Sequence, residues 1–409
     1  MRLIVLAPLL AAIPIAALAE PMTFDAAIRR AAASAPSLQA SAAGVDASRS
    51  ASVAAGQLPD PTLTVGVDNF PVSGPPAFSF TRDSMTMGRI GVEQEFTNPA
   101  KRRAQRGRSE ANIDVAEADL AVETQNVRLA TALAWIDLYY AKRRLAQLDL
   151  LNDSLNDLQA TVTARLASGS ARPSQALEPE QLRAAVADRR AELQAEVTKA
   201  QARLARLTGD PQADAVGDPP LLEVDGPALR AHVAGLPRLQ VLDAQVNAAD
   251  ADVALAQADK RPDWRVGTSY GRRDPAYGDM VSVTFSIDLP LFGKRRQDPL
   301  IAARESDARR ARLMRDAGER DLTAELDADL ADYALHQQRL LNSRQTLVPL
   351  AKRRAELDLA SYRAGKLDLG SALLSSLALA EAEVEALARE EDVARDAIRI
   401  NYTYGGMQP

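Results

Sequence analysis

The 409-residue sequence contains no cysteine. That excludes a disulfide framework, a zinc–thiolate centre and a lipid-anchored N-terminal cysteine. It has two histidines, His232 and His336, neither with a partner at ligand spacing, so no metal site is expected. Nor is there a G-x-S-x-G elbow or a phosphate-cradling glycine loop, so neither an enzyme nor a cofactor is expected. Aromatic residues are only 4%, thin for a compact core of this length. Basic and acidic residues number 49 and 55, a net charge of −6, which makes a poor nucleic-acid binder. Past residue 19 no run approaches 18 unbroken apolar residues, so no transmembrane helix is expected in the rest of the chain.

What is present is alanine-rich, which favours helix and close helix–helix approach. The first residues, Met1-Arg2, the apolar run LIVLAPLLAAIPIAA and then Ala17-Leu18-Ala19, have the three parts of a secretory signal peptide. Cleavage after Ala19 and export are expected.

The chain is written twice. LPDPTLTVGV (Leu58 to Val67) is echoed by RPDWRVGTSY (Arg261 to Tyr270), and NPAKRRAQ (Asn98 to Gln105) by FGKRRQ (Phe292 to Gln297). RLASGS (Arg165 to Ser170) is echoed by SYRAGK (Ser361 to Lys366), and RLTGD (Arg206 to Asp210) by NYTYGG (Asn401 to Gly406). The landmarks keep their order, which marks a duplicated half rather than a solenoid unit. The expected organisation is residues 1–19 as signal, 20–215 as the first repeat and 216–409 as the second.

Each half reads as short helices, two strands, a very long helix, a glycine turn and a return helix. The long hairpins are expected at 102–207 and 298–401. In the first, Leu145, Leu148, Leu151, Leu155, Leu158, Val162 and Leu166 recur every three or four residues, a heptad-like seam. A helix of this length is a rod of roughly 100 Å. Gly169 and Gly365 suit a helix reversal that needs positive φ. Helices alone would fit a solvated coiled-coil rod equally well.

The strands argue otherwise. Four segments, 62–70, 86–96, 263–272 and 280–290, alternate with period two between an apolar and a polar face. Leu63, Val65 and Val67 oppose Thr64, Gly66 and Asp68, and Val281, Val283, Phe285 and Ile287 oppose Ser282, Thr284, Ser286 and Asp288. This is the pattern of outer-membrane barrel strands. Backbone in lipid must be fully paired, so such sheets close. Four strands are too few to close alone, so other copies must supply the rest: two copies give eight strands and three give twelve. Strand counting leaves both open; the helices favour three chains around an open bore. The polar faces place Asp68, Arg89, Glu93, Glu95, Arg265 and Asp288 at the lumen, a net −2 per chain and a mild bias toward cations. Lys101-Arg102-Arg103 and Lys294-Arg295-Arg296, just past the second strand of each pair, are expected at the inner lipid headgroups. Met85, Met87 and Met280, near the outer mouth, read as packing filler, with soft-metal thioether contact as the alternative.

This order of elements, carried by LPDPTLTVGVDNF, MTMGRIGVEQEF and FGKRR behind a signal peptide, resembles the TolC-like outer-membrane efflux channels over essentially the whole mature chain. The motifs look most like the heavy-metal, CzcC/CusC-like branch. The resemblance implies a mainly α fold with membrane β: long antiparallel helical hairpins forming a trimeric α-barrel in the periplasm, and a 12-stranded outer-membrane barrel. It implies a homotrimer in outer-membrane lipid that docks, through a periplasmic adaptor (membrane fusion protein), to an inner-membrane RND pump. It implies a passive gated conduit for metal cations such as copper, silver, cobalt, zinc or cadmium. The same fold serving drug efflux or type I protein secretion is the alternative, and a periplasmic coiled-coil adaptor or structural rod is a third reading. The resemblance puts the gate at the hairpin tips, on Gly169, Arg172, Gln175, Glu178, Tyr362, Gly365, Lys366 and Asp368. The family's best-known pattern has an aspartate six residues after each tip glycine; here those positions hold Gln175 and Ser371.

Overall fold

The computed structural model describes residues 21–167 and 177–405, so the expected signal peptide lies outside the described residues. In chain order the elements are β1 (Pro21–Met22), α1 (Phe24–Ser34), α2 (Pro36–Ala54), β2 (Thr62–Asp68), β3 (Met87–Phe96), α3 (Pro99–Ala167), α4 (Glu178–Thr208) and β4 (Asp214–Ala215). The second half follows with α5 (Gly226–His232), α6 (Pro237–Ala258), β5 (Trp264–Arg272), β6 (Met280–Ile287), α7 (Gln297–Asn342), α8 (Val348–Arg363) and α9 (Leu369–Tyr404).

Contacts divide the chain into two units, and both repeats contribute to each. One takes Gln39–Glu123 and Val233–Thr323; the other takes residues up to Leu38, Thr124–His232 and residues from Ala324 onward.

The first unit holds a four-stranded antiparallel sheet in the order β2-β3-β5-β6. The two hairpins are joined by β3–β5 pairing, from Gly88 opposite Arg272 to Phe96 opposite Trp264. Prolines mark the change from ladder to helix because they cannot donate. At the β3–α3 junction Pro99 is the first helical residue, and Asn98 caps the helix by accepting from the Lys101 backbone N–H at 2.8 Å. The Asn98 backbone N–H donates to Asp263 at 2.6 Å and its side-chain amide donates to the same oxygen at 3.0 Å. One carboxylate thus ties the start of β5 to the start of α3. The helices of this unit are laced by ion pairs such as Arg49–Glu117 at 2.7 Å and Arg108–Asp252 at 2.6 Å.

The second unit is helical apart from the two-residue parallel pair β1–β4, which the sequence did not foreshadow. Its upper core centres on Trp135, fully buried in α3. The indole N–H donates to the Met22 carbonyl at 2.9 Å. Phe24 meets the indole edge-on and Tyr139 stacks on it, each with centroids 5.5 Å away. A second core, nearer the α8–α9 turn, gathers Leu148, Leu182, Leu193, Tyr362, Leu373 and Val384. Leu148 is the member of the expected seam that this core buries; the seam residues beyond Leu150 lie where side chains are not described.

The long helix of the second repeat differs from expectation. The first runs unbroken for 69 residues, but its counterpart is interrupted by a π-turn at Ser343–Leu347. Pro349 explains it: the ring lacks a donor and crowds the carbonyl four residues back, so the hydrogen-bond ladder re-threads just before it. The strands are also shorter than expected, 7 to 10 residues.

Trp135→Ala removes the largest buried side chain and the hydrogen bond holding the N-terminal strand. It should destabilise the fold by about 3–5 kcal/mol, read as an earlier loss of the helical circular-dichroism signal in a denaturant titration.

Candidate functional site

The register sorts the sheet into two faces. Leu63 pairs with Val92 and Val65 with Ile90; across the next ladder Ile90 meets Tyr270, and Tyr270 meets Val281. These residues, with Val67, Val283, Phe285 and Ile287, form one apolar face, and it is exposed: Val283 is 75% and Phe285 65% accessible. An apolar patch of this extent seeks lipid or protein.

The opposite face carries all six expected lumen residues. Arg89 pairs with Asp68 at 3.1 Å. Arg265 bridges Glu95 at 3.2 Å and Asp288 at 3.1 Å. Glu93 has no ion-pair partner among the described residues; its side chain lies over Gly267, where a Cβ would come within 3.7 Å of it. Three of the four acids on this face thus contact an arginine, but with two arginines to four acids the net −2 remains. Gly91 is small of necessity, since a Cβ there would stand 2.8 Å from that of Ser269. Met87 folds its thioether over Gly271, which pairs with Met280, so Met87 packs against backbone as filler does. Between the strands, Arg273 donates to the Gly278 carbonyl at 2.7 Å and to the Ser84 carbonyl at 3.0 Å, joining the β5–β6 loop to the β2–β3 loop. Nothing in the sequence marked Arg273 out.

Of the expected tip residues, Gly169, Arg172 and Gln175 lie outside the described residues. The other tip is well defined. Gly365 has φ of 72°, its N–H donates to Tyr362 O at 2.9 Å, and the Lys366 N–H donates to Ser361 O at 2.9 Å, a Schellman closure. Tyr362 is buried in the second core. Lys366 is exposed, with no ion-pair partner among the described residues. Asp368 caps α9, accepting from the Ser371 backbone N–H at 2.9 Å and from its hydroxyl at 2.7 Å. Those hydrogen bonds hold its carboxyl below the usual range. Glu178, opening α4, comes to the same place: a Cβ at Gly370 would lie 3.2 Å from Asp368 and 3.4 Å from Glu178. One Glu178 oxygen is buried without a hydrogen-bond partner. Two carboxylates from two helices therefore flank the first turn of α9, whose dipole favours negative charge.

Sequence reading missed a charged cluster within the helices. Arg144 lies 3.2 Å from both Glu196 and Glu391, and Asp137 is paired with Arg395 and with Arg203. Glu196 meets Arg144 without hydrogen-bond alignment, so its Oε2 is buried and unsatisfied. Burial pushes the Glu391 carboxyl up to about 7 against the pull of Arg144. His336, alone in the sequence, lies 2.6 Å from Asp396, whose other oxygen accepts from Arg399 at 2.6 Å. No spacing in the sequence announces either cluster, because each joins helices far apart in the chain.

A carboxyl whose pKa rises on folding keeps its proton in the native state while the unfolded chain has lost its own. Stability tied to Glu391 should therefore fall as pH rises from about 4.5 to about 7, then level off, a change of roughly 1–3 kcal/mol. Unfolding titrations across that range should show this component in the wild type and not in Glu391→Gln.

Residues 232–406 match the family described as outer membrane efflux protein. No curated protein matches the chain. Among solved structures, the outer-membrane channel OprN is similar with TM-score 0.78 at 19% identity, covering 94% of this chain and 90% of that one. CusC, described in terms of folding and transmembrane channel formation, is similar with TM-score 0.78 at 14% identity, covering 94% and 92%. VceC of Vibrio cholerae, an outer membrane protein, is similar with TM-score 0.77 at 17% identity, covering 94% and 96%. Among the described residues no helix is long and apolar enough to cross a membrane. The chain thus has the fold of the outer-membrane efflux channels, and its second half carries that family's sequence pattern.

Proposed function

We propose that this protein is the outer-membrane channel of a tripartite efflux system, a passive conduit from periplasm to exterior. The observation that carries the reading is the four-stranded sheet: its apolar face is exposed, and both edge strands, β2 and β6, lack a neighbour on one side among the described residues. Three copies pairing β6 to β2 would close twelve strands in lipid and leave no edge. The helical hairpins would then line a periplasmic bore, with Lys366 and Asp368 of one tip, and Gly169, Arg172, Gln175 and Glu178 of the other, at its closing end. Energy would come from an inner-membrane RND pump joined through a periplasmic adaptor.

The cargo we propose is a heavy-metal cation. The motifs favour that branch, and the polar face of the sheet, on this reading the wall of the pore, carries net negative charge. In planar bilayers the reconstituted protein should prefer potassium to chloride. Glu93→Lys, at the acid without an ion-pair partner, should weaken or reverse the preference, and equal permeability in the wild type would contradict a cation-biased pore. Cargo is tested by growth of a deletion strain and its complemented control across copper, silver, zinc, cadmium, cobalt and hydrophobic drugs. Sensitivity to one metal group is expected; drug sensitivity with normal metal tolerance would assign the channel to drugs instead.

A further inference from the structure

The two strand-to-helix junctions descend from one duplicated motif, yet the structure uses them differently. At the first, Phe96 stacks on Trp264 with centroids 4.2 Å apart. Lys101 lies 3.0 Å from Asp259 and 3.5 Å from Asp263, and the Arg102 Nε–H donates to the Gly56 carbonyl at 2.7 Å. The aromatic ring, Lys101 and Arg102 are satisfied within the chain, and Arg103 alone of this basic cluster has no side-chain hydrogen bond or ion pair among the described residues. At the second, Leu289, Leu291 and Phe292 are exposed, Leu291 to 76%. The cations that follow, Lys294, Arg295 and Arg296, have no side-chain hydrogen bond or ion pair among the described residues.

These residues border a cavity of about 480 Å³. Lys260, Leu291, Phe292, Lys294, Arg295 and Gln297 line it, with Asp298. Lys260 and Asp298 neutralise each other at 2.5 Å, so Lys294 and Arg295 set the sign of the hollow. The Gln297 Oε1 is buried without a donor.

We propose that this junction binds the headgroup of an anionic phospholipid from the leaflet at the inner end of the sheet. The inference rests on the membrane reading above and adds a ligand to it. Along the chain the apolar face of β6 gives way to exposed leucines and phenylalanine and then to cations, the order in which a lipid presents acyl chain and phosphate. Arginine and lysine suit phosphate oxygens by charge and by donor geometry. A free phosphate would leave Leu291 and Phe292 in water, whereas a lipid covers both. The exposed apolar face of β6, Val281, Val283, Phe285 and Ile287, is followed directly by the exposed Leu289, Leu291 and Phe292, which favours lipid over a second protein chain.

The test uses the full chain reconstituted into vesicles of phosphatidylcholine and phosphatidylglycerol, re-extracted, with retained lipid counted by native mass spectrometry. At roughly 1 kcal/mol per cation near an anionic surface, Lys294→Gln with Arg295→Gln should cut phosphatidylglycerol retention about five- to thirty-fold. Lys294→Arg with Arg295→Lys should keep it, as should the charge-matched control Arg304→Gln with Arg310→Gln. Equal retention in the wild type and the junction variant would overturn the site while leaving the channel reading intact. Dissociation of the oligomer in the junction variant would reassign the patch to contact between copies. A wild-type chain that fails to float with vesicles of either lipid would overturn the membrane reading, and this site with it.

Discussion

On the proposed reading, backbone hydrogen bonding in lipid governs the rest of this protein. A sheet with one exposed apolar face is soluble in a membrane only if every N–H and C=O finds a partner, and a four-stranded sheet has two edges that do not. On that reading the two open edges, β2 and β6 among the described residues, call for strands from other copies. The same constraint also explains the composition. The four strands of the sheet are rich in β-branched residues, while most of the remainder is alanine-rich helix that needs close approach more than bulk.

The helical unit meets a different constraint. With few large apolar side chains, it concentrates them at two places, around Trp135 and around Tyr362, and links the helices between with carboxylate–guanidinium contacts. Such contacts contribute little when exposed. Where they are buried, as at Arg144 and Glu391, desolvation rivals attraction, and the cluster becomes sensitive to proton concentration instead of uniformly stabilising.

Period-two alternation made the sheet legible: each of the six charged residues read as facing one side does so, because a strand admits only two faces. Proline and glycine likewise announced the junctions and the Gly365 turn, since φ restrictions are local. What stayed hidden was non-local. Asp263 binding Asn98, Glu391 beside Arg144, and His336 beside Asp396 join residues separated by dozens to hundreds of positions, and charged residues on long helices look alike whether solvated or paired. The β1–β4 pair escaped for the opposite reason, being too short to carry a period. The sequence reads as two successive repeats of elements, and each of the two contact units takes segments from both.

The π-turn before Pro349 breaks that duplication in one further respect. An extra residue in a helical turn rotates every later side chain by about 100° around the helix axis. The surface of α8 is therefore out of phase with a straight continuation of α7, whereas α3 keeps a single phase along its 69 residues. Two segments that began as copies now offer different stripes to whatever approaches from outside. Any surface that approaches α8 therefore meets a stripe of side chains that a straight continuation of α7 would have turned away.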